Sequence, residues 1–441
     1  MGSSFDYAGP TPIRVRRVSD EPIVAADSLP GYGPIFNAGV IHQAGRFHLF
    51  ARGVRAGYRR NDGPGDRFLD YISDVLVFTS DDGRCYEFQQ VLAAASPDGV
   101  YSYEDPRVQR LTSDGSQRVF ISYTNLSAPE SGLPWRVGVQ GVAFECGRFC
   151  LNPSSGHVVG RDGIKDKDAV LFNLLDGRVA LIHRIHPNIQ LALFDSLDEL
   201  WDPAPEYWDE HLRHLEQHTL IRPSNGAISV GAGAPPIATD AGLVLFFHER
   251  EGDGHYTTKV ALLDEGTGRV RSLLPDPIMR AELPWECAGD VDNVIFVQGA
   301  VPRPDGTIYL TYGAADCCVG AASVAATELY AASGRRLKAV QATRSGLVFR
   351  ALTNVGYMSR PSSSDAISTR RCRKHSRGPP PVGSVLAPGR TWPRCQPAGG
   401  GEFRQAVKAA AGAKAGRRRP PPSSPNEQKP PLESGFDPLR R

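Results

Sequence analysis

From about residue 30 to about residue 330 the chain repeats one local pattern, a short apolar run, a turn signal and a second short apolar run. The runs fall at about 40–50, 71–78, 118–123, 136–144, 179–185, 242–248, 257–263, 294–301 and 307–312. Between them stand Ala44-Gly45, Asp82-Gly83, Asp114-Gly115, Asp176-Gly177, Asp264-Glu265-Gly266 and Asp305-Gly306. Asp-Gly between apolar runs is a strong hairpin signal, because both residues tolerate the positive φ of a type I′ turn. The chain is therefore read as mostly antiparallel β. Roughly 300 residues of such strands exceed a simple sandwich, whereas radial repetition of four-stranded blades holds them and protects their edges. The expectation is an all-β, five-bladed β-propeller over residues 25–337, with about 60 residues per blade and residues 1–24 as an N-terminal extension.

Two stretches depart from the pattern. Residues 196–218, with Leu197, Leu200, Trp201, Tyr207, Trp208, Leu212 and Leu215, read as a surface insertion with a helical turn or two whose aromatics cover the core. Residues 338–441 hold 20 of the 50 Lys+Arg, only 5 of the 48 Asp+Glu and 14 of the 36 prolines, so this tail carries +15 and the body −13. A segment so poor in apolar residues buries too little surface to offset its ordering entropy, and the tail is expected to be disordered and basic. It reads equally as a nucleic-acid-binding arm, an unstructured extension or an out-of-frame run-on.

The acidic body argues against nucleic acid as the partner of the catalytic domain, and any anion it binds must be met by a few local cations. No run of about 18 apolar residues exists and residues 1–17 lack the apolar core of a signal peptide, so no membrane association and a cytoplasmic location are expected. Cys85, Cys146, Cys150, Cys287, Cys317, Cys318, Cys372 and Cys395 lack paired zinc-site spacing and read as reduced thiols.

The densest chemistry is Tyr103-Glu104-Asp105-Pro106-Arg107-Val108. Pro106 biases the residue before it away from helical backbone, so Asp105 is expected extended at a strand or loop end, its carboxylate projecting and Arg107 on the same face. A carboxylate beside a fixed cation suits hydroxyl-rich ligands, and a partly desolvated one can hold or pass a proton. Taken alone, an Asp-Pro-Arg is more often a surface ion pair. Other polar clusters share its position at strand boundaries, among them Phe36-Asn37-Ala38-Gly39, Ala51-Arg52-Gly53, Lys165-Asp166-Lys167-Asp168, His183-Arg184-Ile185-His186-Pro187, Gly233-Ala234-Pro235-Pro236, Phe247-His248-Glu249 and Tyr312-Gly313-Ala314-Ala315-Asp316. In a propeller such strand ends converge on one axial mouth.

Taken together and in order, these clusters over about residues 25–335 resemble glycoside hydrolase family 130, the β-mannoside phosphorylases and their relatives. The resemblance implies a five-bladed propeller and the inverting phosphorolysis of a β-mannoside, such as β-1,4-mannosyl-glucose or a β-manno-oligosaccharide, to α-mannose 1-phosphate. It places Asp105 as catalytic acid, acting through the mannose 3-hydroxyl. It places Asn37, Arg52 and Asp316 around the sugar, where Arg107, read on the same face as Asp105, is also expected, and Lys167, Arg184, His248 and Tyr256 around phosphate. The co-substrate is inorganic phosphate, no metal or organic cofactor is implied, and a homo-oligomer is left open. Asp292 stands where relatives are expected to carry proline, and Lys165-Asp166-Lys167 leaves the serving lysine open.

The residues also discriminate between nucleophiles. An inverting hydrolase needs a second carboxylate, roughly 6.5–9.5 Å from the acid, to activate water. A phosphorylase needs only the acid, plus donors that hold phosphate beneath the anomeric carbon. Lys167, Arg184 and His248 are such donors on an acidic body and favour phosphorolysis. The competing readings are a hydrolase of the same fold with Glu249 as base, and a non-catalytic carbohydrate-binding propeller.

Overall fold

The computed structural model describes residues 13–64 and 67–332. The basic tail expected over 338–441 lies outside the described residues. Five antiparallel sheets follow one another along the chain and make five blades. Blade I comprises Tyr32–Gln43, Arg46–Arg55, Ser73–Ser80 and Glu87–Ala93, and blade II Ser102–Ser113, Ser116–Leu126, Arg136–Glu145 and Arg148–Val159. Blade III comprises Lys167–Asn173, Val179–Arg184, Ile189–Phe194 and Thr219–Ile221. Blade IV begins with Ser229–Ala232, which pairs with Gly242–Arg250; the latter pairs in turn with Tyr256–Leu263, and Val270–Leu273 forms the outer edge. Blade V comprises Ile295–Pro302, Thr307–Ala314 and Cys318–Ala325, and its fourth strand is Arg16–Arg17 from the start of the chain. The segment read as an N-terminal extension thus contributes a strand to the propeller.

The turns show how the sequence makes these sheets. At Ala44-Gly45 and Asp114-Gly115 both residues have positive φ, as the type I′ reading requires. At Asp82, Asp176 and Asp305 only the following glycine does, and the Asp instead accepts the backbone N–H of Arg84, Arg178 and Thr307 with its own side chain. Asp serves there as a side-chain cap of the turn.

The first strand of each blade is innermost, and glycine lets these strands approach. A Cβ on Gly233 of blade IV would stand 2.3 Å from the carbonyl oxygen of Val297 in blade V, and one on Gly299 of blade V would stand 2.5 Å from the backbone nitrogen of Val40 in blade I. Backbone cannot yield as a side-chain tip does. Gly233→Ala is expected to lower stability by about 1–3 kcal/mol through overpacking, read as a drop in denaturation midpoint; an unchanged midpoint would mean that the ring widens freely.

The insertion between the third and fourth strands of blade III holds three short helices, Leu197–Trp201, Tyr207–Arg213 and Leu215–His218. Ser196 caps the first by accepting the N–H of Glu199. Leu197, Leu200 and Trp208 pack with Phe120, Val139 and Phe194 across blades II and III, which is the core-covering role read for these residues.

Candidate active site

The inner strands of blades I, II and III each break register at one end, between Phe36 and Gly39, Glu104 and Arg107, and Lys167 and Val170. At each break stands a short acidic or amide residue in the left-handed region, Asn37 (φ 45°), Asp105 (φ 50°) and Asp168 (φ 54°). Asn and Asp tolerate this region better than other residues with a Cβ. Each bulge therefore turns one polar side chain out of the ladder. Asp316 (φ 48°) does the same in the turn between the second and third strands of blade V. Asp105 was expected to be extended; proline after it disfavours the right-handed helical region, and here the chain takes the left-handed alternative.

Asn37, Asp105 and Asp316 meet in a cavity of about 940 Å³ whose lining also includes Arg52, Glu104, Lys167 and Tyr256. Asn37 Nδ2 donates to Asp105 Oδ1 over 2.7 Å. Arg52 spans two carboxylates, 2.6 Å from Glu104 and 3.5 Å from Asp105, and lies over the rings of Phe36 and Tyr71. Lys167 Nζ stands 3.7 Å from Asp105 Oδ2 and 4.0 Å from Asp168 Oδ1. Lys165 lies 3.5 Å over the ring of Trp135, and of the two lysines it is Lys167 that lines the cavity.

Burial pushes the Asp105 carboxyl up, but Lys167, Arg52 and Arg107 outweigh it and hold its pKa below the usual value. Asp105 is therefore ionised at neutral pH. Burial alone would depress the Lys167 ammonium, yet Asp168 and Asp105 hold it above the ordinary lysine range. Asp316 behaves oppositely: burial and the neighbouring Asp105 and Glu104 outweigh Arg52 and Lys167, and its pKa is pushed up to about 7. Asp316 thus titrates near neutral pH and holds its proton below it.

That shift has a sign. Between pH 3.8 and about 7 the unfolded chain loses the Asp316 proton while the folded chain keeps it, so this contribution to stability is present at low pH and lost as pH rises through about 7. The slope is at most about 1.4 kcal/mol per pH unit. Asp316→Asn is expected to remove that slope from the melting temperature profile relative to the unsubstituted protein; overlapping profiles would mean that Asp316 ionises as an ordinary carboxyl.

Behind the cavity wall Asp168 is fully buried between two cations, Arg107 at 3.2 Å and Arg184 at 3.1 Å, with His248 Nε2 at 3.5 Å. Burial pushes Asp168 up, and Arg184, Lys167 and His248 pull it well below the carboxylate range. His248 is itself pushed down to about 4, mainly by burial, and stacks on Phe296. It is a neutral imidazole at physiological pH.

The chain has relatives among known proteins. The family profile described as beta-1,4-mannooligosaccharide phosphorylase matches residues 14–332. A beta-1,4-mannooligosaccharide phosphorylase of Ruminococcus albus is 32% identical over 325 residues, covering 69% of this chain and 87% of the relative. The chain belongs to glycoside hydrolase family 130. A 1,2-beta-oligomannan phosphorylase of Thermoanaerobacter sp. is 29% identical over 329 residues, 70% of this chain and 97% of the relative. The fold alone is shared with a solved β-1,2-mannobiose phosphorylase from Listeria innocua in complex with β-1,2-mannobiose (TM-score 0.57, 18% identity, 73% of this chain and 99% of that one).

Against the family 130 expectations, the structure brings Asp105, Asn37, Arg52, Asp316, Lys167 and Tyr256 to one cavity wall. Arg184 stands just behind, its side chain 13% exposed and paired with Asp168. Two expectations need correction. Arg107, expected beside the sugar, is fully buried: it donates to the carbonyls of Asp105, Ala232 and Gly233 and to Asp168, bolting blade II to blades III and IV. With its donors directed inward it positions the Asp105 bulge. His248, expected as a cationic phosphate donor, is buried and neutral. Glu249, the candidate base of a hydrolase, points elsewhere and is held by Lys259 at 2.8 Å and the Ser224 N–H at 2.7 Å.

Sequence reasoning missed Tyr71, Trp135, Phe296, Arg250 and Asn293 as lining residues. Nothing in the local sequence of Tyr71 or Trp135 marks either as lining a cavity.

Proposed function

We propose that this protein is an inverting β-mannoside phosphorylase acting on β-manno-oligosaccharides in the cytoplasm, with inorganic phosphate as co-substrate and without metal or organic cofactor. One observation carries the reading. Lys167 and Tyr256 line the same cavity as Asp105, with Arg184 behind them, while Glu249, the base a hydrolase would use, is tied to Lys259 outside it. Phosphate brings its own nucleophilic oxygen, so a cation cluster beside a single acid suffices.

In this reading Asn37, Arg52 and Asp316 hold the mannosyl unit and phosphate sits against Lys167 and Arg184. Its charge offsets the field that keeps Asp105 ionised, and Asp105 takes up a proton as the ternary complex forms. The proton then reaches the glycosidic oxygen by way of the mannose 3-hydroxyl while a phosphate oxygen attacks the anomeric carbon from the opposite face. The C1–O bond breaks with inversion, giving α-mannose 1-phosphate and the shortened sugar. The cavity of about 940 Å³, at the upper end of small-molecule pockets, supports an acceptor side longer than one sugar.

The test is incubation with β-1,2- and β-1,4-linked manno-oligosaccharides, and with β-1,4-mannosyl-glucose, with and without phosphate. Phosphate-dependent mannose 1-phosphate is the expected product. Mannose released without phosphate would make the protein a hydrolase, and no turnover of any of them would make it a binding propeller.

A further inference from the structure

One buried polar chain plays no part in the chemistry above. Asp166, His183 and His211 are at most 4% exposed and none of them lines the cavity. Asp166 Oδ2 lies 2.7 Å from His183 Nδ1, and His183 Nε2 lies 3.2 Å from His211 Nε2. The other Asp166 oxygen accepts the backbone N–H of Arg184 over 3.2 Å, and the Asp166 N–H donates to the carbonyl of Trp135.

The protons in this chain follow from what each group can give. A carboxylate accepts, so His183 donates from Nδ1; in a neutral imidazole Nε2 is then a lone pair that calls for a donor from His211. His211 must then donate from Nε2. Its Nδ1 is left as an acceptor, and that atom is buried with no partner. Burial, His183 and His218 push the His211 pKa down to about 2, so the imidazole stays neutral as this order requires. Trp208, from the same helix as His211, packs edge-on against His183.

The position of the chain gives it a purpose. Lys167 and Arg184 are direct cross-strand partners, and the ladder breaks immediately beyond them, between Lys167 and Val170. At that break, Asp166 pins the end of the strand carrying His183 and Arg184 to the bulge carrying Lys167 and Asp168. We propose that the Asp166, His183 and His211 chain is a positioning device that sets the Lys167 and Arg184 pair at phosphate-binding separation, which makes the helical insertion of blade III part of the anion site. The proposal rests on the reading of Lys167 and Arg184 as phosphate donors.

The decisive comparison is His211→Leu with His211→Gln. Leucine removes the donor; the glutamine amide N–H can reach His183 Nε2 in its place. His211→Leu is expected to raise the KM for inorganic phosphate about tenfold and to move the mannoside KM less than about twofold, and His211→Gln to stay near the unsubstituted enzyme. The proposal falls if the phosphate constant does not move in His211→Leu, if both constants rise together, or if glutamine is as damaging as leucine. Should His211→Leu not fold, nitrogen-15 NMR of the unsubstituted protein decides: a proton on His183 Nδ1 and on His211 Nε2 supports the chain, and the opposite tautomers overturn it. Absence of phosphate binding by calorimetry on the unsubstituted enzyme would overturn the functional reading together with this one. Normal phosphorolysis with a phosphate constant indifferent to His211→Leu would overturn the positioning role alone.

Discussion

Asp105→Asn is expected to lower turnover at least about 10²-fold while leaving the fold and mannoside binding in place. The amide keeps an oxygen for the Asn37 Nδ2 donor, so the bulge retains its closest hydrogen bond. It cannot donate a proton as an acid. It also removes a negative charge that stands 3.7 Å from Lys167 and 3.5 Å from Arg52, and phosphate is therefore expected to bind the variant more tightly. Lower kcat with a lower phosphate requirement is a signature that misfolding does not produce. Turnover near that of the unsubstituted enzyme would remove Asp105 from the mechanism.

Lys167→Ala is expected to raise the phosphate requirement about ten- to hundredfold, since a charge-assisted hydrogen bond is worth roughly 1.5–3 kcal/mol. Mannoside binding should change much less. The lysine also holds the Asp105 pKa down, so its removal should move the alkaline limb of the pH–rate profile, where the acid loses its proton, upward. Phosphate saturation curves and pH profiles of kcat/KM test the two effects separately. Equal weakening of mannoside and phosphate would place Lys167 in the sugar subsite. Arg184→Ala is the less clean substitution, because it strips the buried Asp168 of a partner at 3.1 Å and costs stability as well as affinity.

The fold was legible because its signals are local. Asp114-Gly115 and Ala44-Gly45 state a hairpin in two residues, and strand after strand of alternating runs leaves little besides radial repetition. Asp105, Lys167 and Asp316 were legible as a set because the order of their motifs resembles a known family. What stayed hidden depends on register and burial. The side chains of Arg107 and Asp105 are two residues apart, yet the bulge between them sends one carboxylate into the cavity and the guanidinium into the core. No spacing rule distinguishes that from a strand in regular register. Glu249 beside His248 reads as a base in waiting until Lys259, ten residues on, is seen to hold it. His211 lies 28 residues from His183, and only the packing of the insertion brings them together.

The Arg16–Arg17 strand gives the molecule an order of assembly. It pairs with Ser323 and Ala322, and Arg17 holds the buried Glu286 at 2.6 Å, 269 residues away. A ribosome delivers these residues before the blades, and the partners Glu286, Ala322 and Ser323 come only after nearly the whole propeller has followed. Four blades can form as the nascent chain lengthens, but the circle closes only when its beginning docks beside the third strand of the fifth blade. A strand made before every blade is thus placed after the blades it closes.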